Sequence, residues 1–158
     1  MTAEEIKLYI RKAKTSDIET ITRIENQQFL HPWKKHQFTS ELTHDISYFY
    51  VCEDVSTKEV VGYIIFWIIE ETMELHTIAV SKKYKQKGIG KRLFLFMMET
   101  AKKKKVEEIF LEVRCSNTEA IAFYESFHFQ QVGVRKDYYS SPPEDALIYK
   151  LTLPSHKR

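Results

Sequence analysis

The sequence has little glycine, proline and cysteine. Its 158 residues include four glycines, four prolines and two cysteines. So few glycines and prolines exclude a collagen-like chain and a flexible or proline-rich linker. Cys52 and Cys115 lie far apart and form neither a CxxC pair nor a cluster with histidine, which argues against a disulfide framework or a zinc site. We expect no metal, and we expect Cys115 to be a buried thiol rather than a nucleophile.

The chain also lacks a long apolar segment. The longest apolar run, Val60 to Ile69, has about ten residues, whereas a membrane-spanning helix needs roughly 20. The N-terminus MTAEEIKLYIRK has no basic stretch followed by an apolar one, as a secretory signal would have. With 43% hydrophobic and 29% charged residues, the composition predicts one cytoplasmic globular domain over residues 1–158 and no membrane partner.

The small net charge of +2 hides an uneven distribution. Residues 82–105 contain ten of the 24 lysines and arginines and a single acid, Glu99. This segment therefore carries +9, and the rest of the chain, with 14 basic and 21 acidic residues, carries −7. This uneven charge favours a protein that binds an anionic ligand at one place over a protein that coats nucleic acid.

Hydrophobic periodicity predicts the order β-α-α-β-β-β-α-β-α-β-β. The predicted strands cover residues 6–11, 48–53, 60–69, 72–80, 109–113, 129–135 and 146–153. The predicted helices cover residues 18–29, 34–42, about 88–105 and about 116–127. Ser16 with Glu19, and Ser116 with Glu119, have the spacing of helix capping boxes. The order predicts an α/β fold (mixed α+β) with helices on both faces of a mixed sheet.

A loop with two glycines precedes the third predicted helix, in the segment KQKGIG from Lys85 to Gly90. At a helix start the main-chain N–H groups point outward at the positive end of the helix dipole, and glycine lets an oxyanion approach them. The segment lacks the third glycine of a dinucleotide fingerprint and the GK[ST] of a phosphate loop. A pyrophosphate cradle and an ordinary solvated loop both stay open.

A carboxylate interrupts the apolar strand IFLEV. Glu112 must either face a wet cleft or be paired there, because an isolated buried charge is costly. The structural alternative to a catalytic role is an ion pair with Arg114 or Arg135. Tyr124, on the following helix, is a candidate partner in proton transfer, although a helical tyrosine is commonly a core residue.

Two longer motifs, in this order, resemble a known family. HTIAVSKKYKQKGIGKRL spans residues 76–93 and LEVRCSNTEAIAFYESFHF spans residues 111–129. With HPW at 31–33, RKDYY at 135–139 and EDALIYKL at 144–151, they resemble the GCN5-related N-acetyltransferases (GNAT), and within them the ribosomal-protein-alanine N-acetyltransferases of the RimI type. The resemblance implies a GNAT-like mixed, mostly antiparallel sheet with helices on both faces.

The resemblance also implies the site residues. Glu112 matches the family's general base and Tyr124 its general acid. Three aromatic residues would shape the groove for a protein N-terminus: Trp33, Tyr138 and Tyr139. Trp33 could equally be a core aromatic. Acetyl-CoA would be held by the end of a strand, by the glycine loop with the following helix start, and by an asparagine near the pantetheine. These residues are Ile78, Ala79, Val80, Gln86, Lys87, Gly88, Ile89, Gly90, Lys91 and Asn117.

Two positions depart from the family pattern. Lys85 stands where the family prefers glutamine or arginine, which keeps a positive charge but loses planar bidentate geometry. His128 replaces the glycine of the helix-ending LGF, which predicts a non-glycine residue in a left-handed or altered turn. Coenzyme affinity and the position of the helix that carries Tyr124 depend on these two residues.

The implied activity is acetyl transfer from acetyl-CoA to a protein N-terminal α-amine, with a ribosomal protein as acceptor and no direct nucleic-acid contact required. An α-amino group, with a pKa of about 8, is neutral far more often at pH 7 than lysine near 10.4, a gap of roughly 3.3 kcal/mol. No serine or cysteine nucleophile with a neighbouring base is evident, which favours direct transfer in a ternary complex. Acetylation of a small amine (polyamine, amino sugar or antibiotic) and a non-catalytic acetyl-CoA-binding module stay as alternatives.

Overall fold

The structure is a computed structural model that describes residues 6–140 and 142–154. The remainder of the predicted domain, residues 1–5, 141 and 155–158, lies outside the described residues. Within them the chain forms seven strands and four α-helices in the predicted order. The strands are β1 (Leu8–Lys12), β2 (Ser47–Asp54), β3 (Glu59–Ile69), β4 (Thr72–Val80), β5 (Glu108–Arg114), β6 (Gln130–Tyr139) and β7 (Glu144–Thr152). The helices are α1 (Ile18–Gln28), α2 (Lys35–Glu41), α3 (Ile89–Lys103) and α4 (Thr118–Ser126).

The strands form one sheet in the order β1-β2-β3-β4-β5-β7-β6. The pairs β1–β2, β2–β3, β5–β7 and β6–β7 are antiparallel, and β4 pairs with β5 in parallel. This confirms the mixed, mostly antiparallel sheet. The chain divides into two compact units, one with the segments up to Trp67 and Thr77–Thr100, the other with Ile68–His76 and the chain from Ala101 onward. A single domain over residues 1–158 stays a prediction.

In the first unit, helices cover both faces of the sheet, as predicted. On one face the buried stripe of α1, with Ile18, Ile21 and Ile24, packs in a single cluster with Phe49 of β2 and Tyr63 of β3. These contacts follow from the alternation of side chains along a strand, which sends every second residue to the same face.

The opposite face of β3 carries Gly62, and α3 lies against it. A Cβ at Gly62 would stand 3.2 Å from side-chain atoms of Ile89 and of Leu93, and 3.0 Å from the carbonyl oxygen of Ala79. The missing side chain therefore allows the start of α3 to approach the sheet closely. This approach fixes the position of the loop that precedes the helix.

Both predicted capping boxes are misplaced, the first by two residues and the second by one. The main-chain N–H of Lys14 donates to the Asp17 carboxylate (2.8 Å) before α1, and Arg11 holds both oxygens of that carboxylate. Before α4 the Oδ1 atom of Asn117 accepts the N–H of Ala120 (3.2 Å). Asp17 takes the third position of its box and reaches back to Lys14, while Asn117 is an N-cap residue at least as good as serine, so the spacing of serine and glutamate was not decisive. The Ser16–Glu19 and Ser116–Glu119 predictions are corrected accordingly.

In the second unit, the end of β6 is the strand boundary that differs most from prediction. β6 continues to Tyr139 rather than ending at Arg135, so Tyr138 and Tyr139 lie on a strand and not in a loop. The β6–β7 register shifts between Arg135 and Tyr139, and this irregularity hides the strand from a simple alternation pattern. In the first unit, the strand expected from Ile6 begins at Leu8.

Helix α4 ends in a Schellman motif built on His128. The N–H of His128 donates to the carbonyl of Glu125 (2.9 Å), and the N–H of Phe129 donates to that of Tyr124 (3.3 Å). The rings of Tyr124 and Phe129 pack with their centroids 6.2 Å apart, the hydrophobic contact that commonly accompanies this motif. His128 has φ = 71°, which confirms the expected left-handed turn at a non-glycine residue.

Candidate active site

The glycine loop has the backbone of an anion-binding turn. Gln86 and Gly88 have φ values of 62° and 78°, and α3 begins directly afterwards at Ile89. The N–H groups of the first helical turn have no intrahelical acceptor and carry the positive end of the dipole. A Cβ at Gly88 would meet nothing within 4 Å, so the main chain there faces open space. The loop therefore offers room and N–H donors for an oxyanion.

The end of β4 lies directly before this loop. Ile78 and Val80 are half-buried, and Ala79 between them is buried. The next residue, Ser81, donates its N–H to the carbonyl of Val61 (2.8 Å). The parallel pairing of β4 with β5 covers three residue pairs at the start of both strands, from Thr72 with Glu108 to Glu74 with Phe110. The predicted pantetheine-binding residues therefore lie beyond the part of β4 that pairs with β5.

Glu112 lies on one face of β5 and forms an ion pair. Its Oε1 atom is 3.2 Å from Nε of Arg135, and 32% of its side chain is exposed. Arg114 of β5 and Arg135 of β6 both pair with Ala146 of β7, and the small side chain between them leaves room for both guanidinium groups. The ion-pair alternative is thus formed, with Arg135 rather than Arg114, but the carboxylate is not buried and can receive a proton from solvent or a bound amine.

Tyr124 is buried in the second unit and its hydroxyl holds its proton firmly. Burial raises the pKa of Tyr124 to about 12, and the charge of Tyr139 adds to the effect. The pKa of Tyr139 is itself raised by burial and then by the carboxylate of Glu112. Tyr139 therefore lies within electrostatic reach of both predicted proton-transfer residues, which the sequence places twelve positions apart.

A network around Glu144, which the sequence analysis missed, supports this region. Glu144 accepts the N–H of Ser116 (2.7 Å) and binds Arg114 (3.2 Å), and these contacts, led by Ser116, lower its pKa to about 2. The guanidinium of Arg114 lies 4.0 Å from the ring centre of Tyr139. Glu144 thereby joins the end of β5 to the predicted substrate residue. Its only sequence signal was its place in the EDALIYKL motif.

Three other predicted residues have defined surroundings. Trp33 lies at the margin of the first unit's core, with its ring 5.3 Å from that of Phe38, so it packs as a core aromatic while staying half-buried. Asn117 uses Oδ1 for the helix cap before α4, and its contact with the pantetheine stays a prediction. Tyr138 is 52% exposed and packs edge-on to Tyr139.

The predicted burial of Cys115 is wrong. This thiol is exposed, 3.5 Å from the carboxylate of Glu144, because β5 ends one residue before it and the chain turns there. Cys52 is buried, and burial raises its pKa to about 11.

The described residues contain neither a candidate metal site nor a candidate membrane-spanning helix. Over residues 6–140 and 142–154, no three or more histidine, cysteine, aspartate or glutamate side chains are grouped so that they could hold a metal ion. Within the same ranges, no helix combines the length and the apolar composition needed to cross a membrane.

Comparison with known proteins decides the family. A sequence model of the acetyltransferase (GNAT) family matches residues 18–129. The chain belongs to the GNAT family. As a GNAT protein it is an acetyl-CoA-dependent N-acetyltransferase. This assignment confirms the resemblance and the fold class inferred from the motifs.

Relatives of this GNAT protein match it over nearly their whole length. An N-alpha-acetyltransferase RimI from Mycobacterium tuberculosis is 32% identical over 92% of this chain and 93% of its own. A ribosomal protein bS18-alanine N-acetyltransferase from Escherichia coli is 29% identical over 91% of this chain and 97% of its own. The crystal structure of a ribosomal-protein-S18-alanine N-acetyltransferase from E. coli superposes with a TM-score of 0.86 at 27% identity, covering 96% of this chain and 99% of that one.

Proposed function

We propose that this GNAT enzyme acetylates the N-terminal α-amine of a protein, with an N-terminal alanine of a ribosomal protein as acceptor, in the cytoplasm. The observation that carries the proposal is the whole-length similarity to alanine N-acetyltransferases, which extends beyond residues 18–129, the part that the family model matches. The Glu112 and Tyr124 pair supports a catalytic protein rather than a coenzyme-binding module. Acetylation of small amines is the outcome that would replace the proposal.

On the coenzyme side, the chain provides main-chain donors and positive charge. Acetyl-CoA supplies the acetyl group as a thioester. In the proposal, the main-chain groups of Ile78 to Val80 bind the pantetheine arm, and those of Gln86 to Lys91 bind the pyrophosphate. The open space at Gly88 and the left-handed turn before α3 support this assignment, because a pyrophosphate needs close approach to several N–H groups. The N–H groups at the end of β4 also serve as oxyanion donors.

On the acceptor side, two residues move protons. Glu112, directly or through a water, accepts the proton of the attacking amine, and Tyr124 gives its proton to the departing thiolate. The raised pKa of Tyr124, about 12, supports its role as an acid, because the phenol stays protonated at neutral pH. Glu112 is solvent-accessible and already binds one cation, Arg135, which suits it to meeting an amine.

Two pairs of variants test these roles. Glu112→Gln is compared with Glu108→Gln, which removes an ion-paired carboxylate from the same strand, where Glu108 binds Lys150. Tyr124→Phe is compared with Tyr149→Phe, which removes another buried hydroxyl, one bound to Glu125. Acetyl transfer from acetyl-CoA to an alanine-terminated peptide is measured at saturating substrate.

We expect kcat to fall by about 10²-fold or more in Glu112→Gln and Tyr124→Phe, the usual range for lost acid–base catalysis, and to change little in the two controls. If each catalytic-site variant kept kcat within about twofold of the wild-type value, the assigned roles would be wrong. Equal losses in the control variants would point to general damage to the second unit.

A further inference from the structure

A buried carboxylate that the proposed proton transfers do not use lies in the first unit. Glu25, in the last turn of α1, is 2% exposed. Its Oε2 atom accepts the main-chain N–H of Trp33 (2.9 Å), and its Oε1 atom accepts the hydroxyl of Tyr63. Both oxygens are therefore engaged by donors from different segments of the chain.

These donors offset part of the cost of burying the acid. Burial raises the pKa of Glu25, and hydrogen bonds from Trp33, Tyr63 and Thr77 act in the opposite direction. A buried carboxylate without such partners would be strongly unfavourable. Thr77 is itself buried on β4, one residue before Ile78, where the proposed pantetheine-binding segment begins. The carboxylate thus links α1, the turn with Trp33, β3 and β4.

The turn that Glu25 holds carries apolar residues toward solvent. Leu30 is 70% exposed and Phe29 is 38% exposed, and they directly precede the HPW sequence. Pro32, the residue before Trp33, has no N–H to donate. The next main-chain donor is the N–H of Trp33, and its bond to Glu25 ties the turn to α1. The hydrogen bond to Glu25 therefore fixes the position of the Trp33 main chain, from which the indole ring extends.

We propose that Glu25 is a positioning residue for acceptor selection: it holds the Trp33 turn against β3 and β4, so that this turn presents an apolar wall to the first residues of the acceptor peptide. The inference rests on the proposed function and on the expectation, from the family resemblance, that Trp33 helps to shape the acceptor groove. Glu25 is too buried to touch the acceptor and acts through the main chain of Trp33. Its effect is therefore on recognition of the peptide and not on the chemistry of transfer.

The matched control is another buried glutamate of the same unit. Glu41 of α2 is 7% exposed and accepts the indole N–H of Trp67 at 3.1 Å. Glu25→Gln and Glu41→Gln make the same chemical change in similarly buried carboxylates, but only the first borders the Trp33 turn. An amide at position 25 keeps one acceptor oxygen and replaces the other with an NH₂ group, so it cannot accept hydrogen bonds from all three donors, Trp33, Tyr63 and Thr77. Tyr63→Phe removes a donor while keeping the bond to Trp33, and serves as the milder variant.

The kinetic readout is the KM for an alanine-terminated peptide, measured beside the KM for acetyl-CoA and kcat. We expect Glu25→Gln to raise the peptide KM about tenfold, the effect of one lost hydrogen bond to a charged group, with a smaller rise in Tyr63→Phe. In all variants we expect kcat and the KM for acetyl-CoA to stay within about twofold, because only acceptor binding is altered. An unchanged peptide KM in Glu25→Gln, or an equal rise in Glu41→Gln, overturns the proposal.

A second readout does not depend on turnover. The chain has two tryptophans, so Trp67→Phe leaves Trp33 as the sole indole. In that background we expect Glu25→Gln to increase acrylamide quenching of Trp33 fluorescence, and unchanged quenching contradicts the positioning role. If the wild-type protein acetylates no peptide, the proposed function fails, and the quenching experiment still decides whether Glu25 holds the turn.

Discussion

His128 allows a quantitative test of the account of α4. This residue closes the Schellman motif with φ = 71° and donates its N–H to Glu125. A side chain in the left-handed region costs about 1–2 kcal/mol, whereas glycine there costs about 0.4–1 kcal/mol through the entropy of the unfolded chain. The difference predicts that His128→Gly stabilises the protein by about 0.5–1 kcal/mol, or by roughly 1–4 °C in Tm for a chain of this size.

The assay is urea and thermal unfolding at pH 7, with His128→Ala as the control. Alanine keeps a Cβ at positive φ, so it should give no such gain. Because the main-chain hydrogen bonds of the motif do not depend on the side chain, Tyr124 should keep its place and acetyl transfer should stay at the wild-type rate. A His128→Gly protein no more stable than His128→Ala would refute the reasoning from backbone strain.

Three further outcomes are expected. Gly62→Ala should lose about 1–3 kcal/mol in urea unfolding through overpacking, because its Cβ would lie 3.0 Å from the carbonyl of Ala79. Gly90→Ala should change stability by less than about 0.5 kcal/mol yet weaken acetyl-CoA binding in calorimetry, since its Cβ finds only ordinary contacts but would crowd the proposed pyrophosphate. Glu144, whose pKa falls from 4.5 to about 2 in the folded protein, contributes stability that is present above pH 4.5 and is lost as the pH falls through 2. Unfolding curves of Glu144→Gln and wild type should therefore converge over that interval.

Much of the fold could be predicted from periodicity. The order of strands and helices follows from local alternation and from apolar stripes such as Ile18, Ile21 and Ile24, because both depend on residues close in sequence. The helix caps were predicted less accurately than the order of the strands and helices. The box before α1 is formed by Lys14 and Asp17, where Asp17 is also held by Arg11 from a neighbouring strand, and no local pattern reports that contact.

The candidate site also has one part that could be predicted from neighbouring residues and another that could not. The glycine loop could be predicted because its chemistry lies in consecutive residues. The network of Glu144 with Arg114 and Tyr139 joins three strands, and the carboxylate of Glu25 joins segments that are 8 to 52 positions from it in the sequence. Such contacts depend on strand register and tertiary packing, which alternation alone does not give. Cys115 was misjudged for the same reason, since its exposure depends on where β5 ends.

The most direct measurement of the central claim is thiol release from acetyl-CoA with a panel of acceptors. The panel contains alanine-terminated peptides that begin with ribosomal-protein N-terminal sequences, the same peptides with a blocked N-terminus and a free lysine, and polyamines and amino sugars. The account predicts turnover with the free α-amines and not with the blocked peptides, and mass spectrometry should locate the acetyl group on the N-terminal alanine. Turnover confined to polyamines or amino sugars, or none with any acceptor, would contradict it.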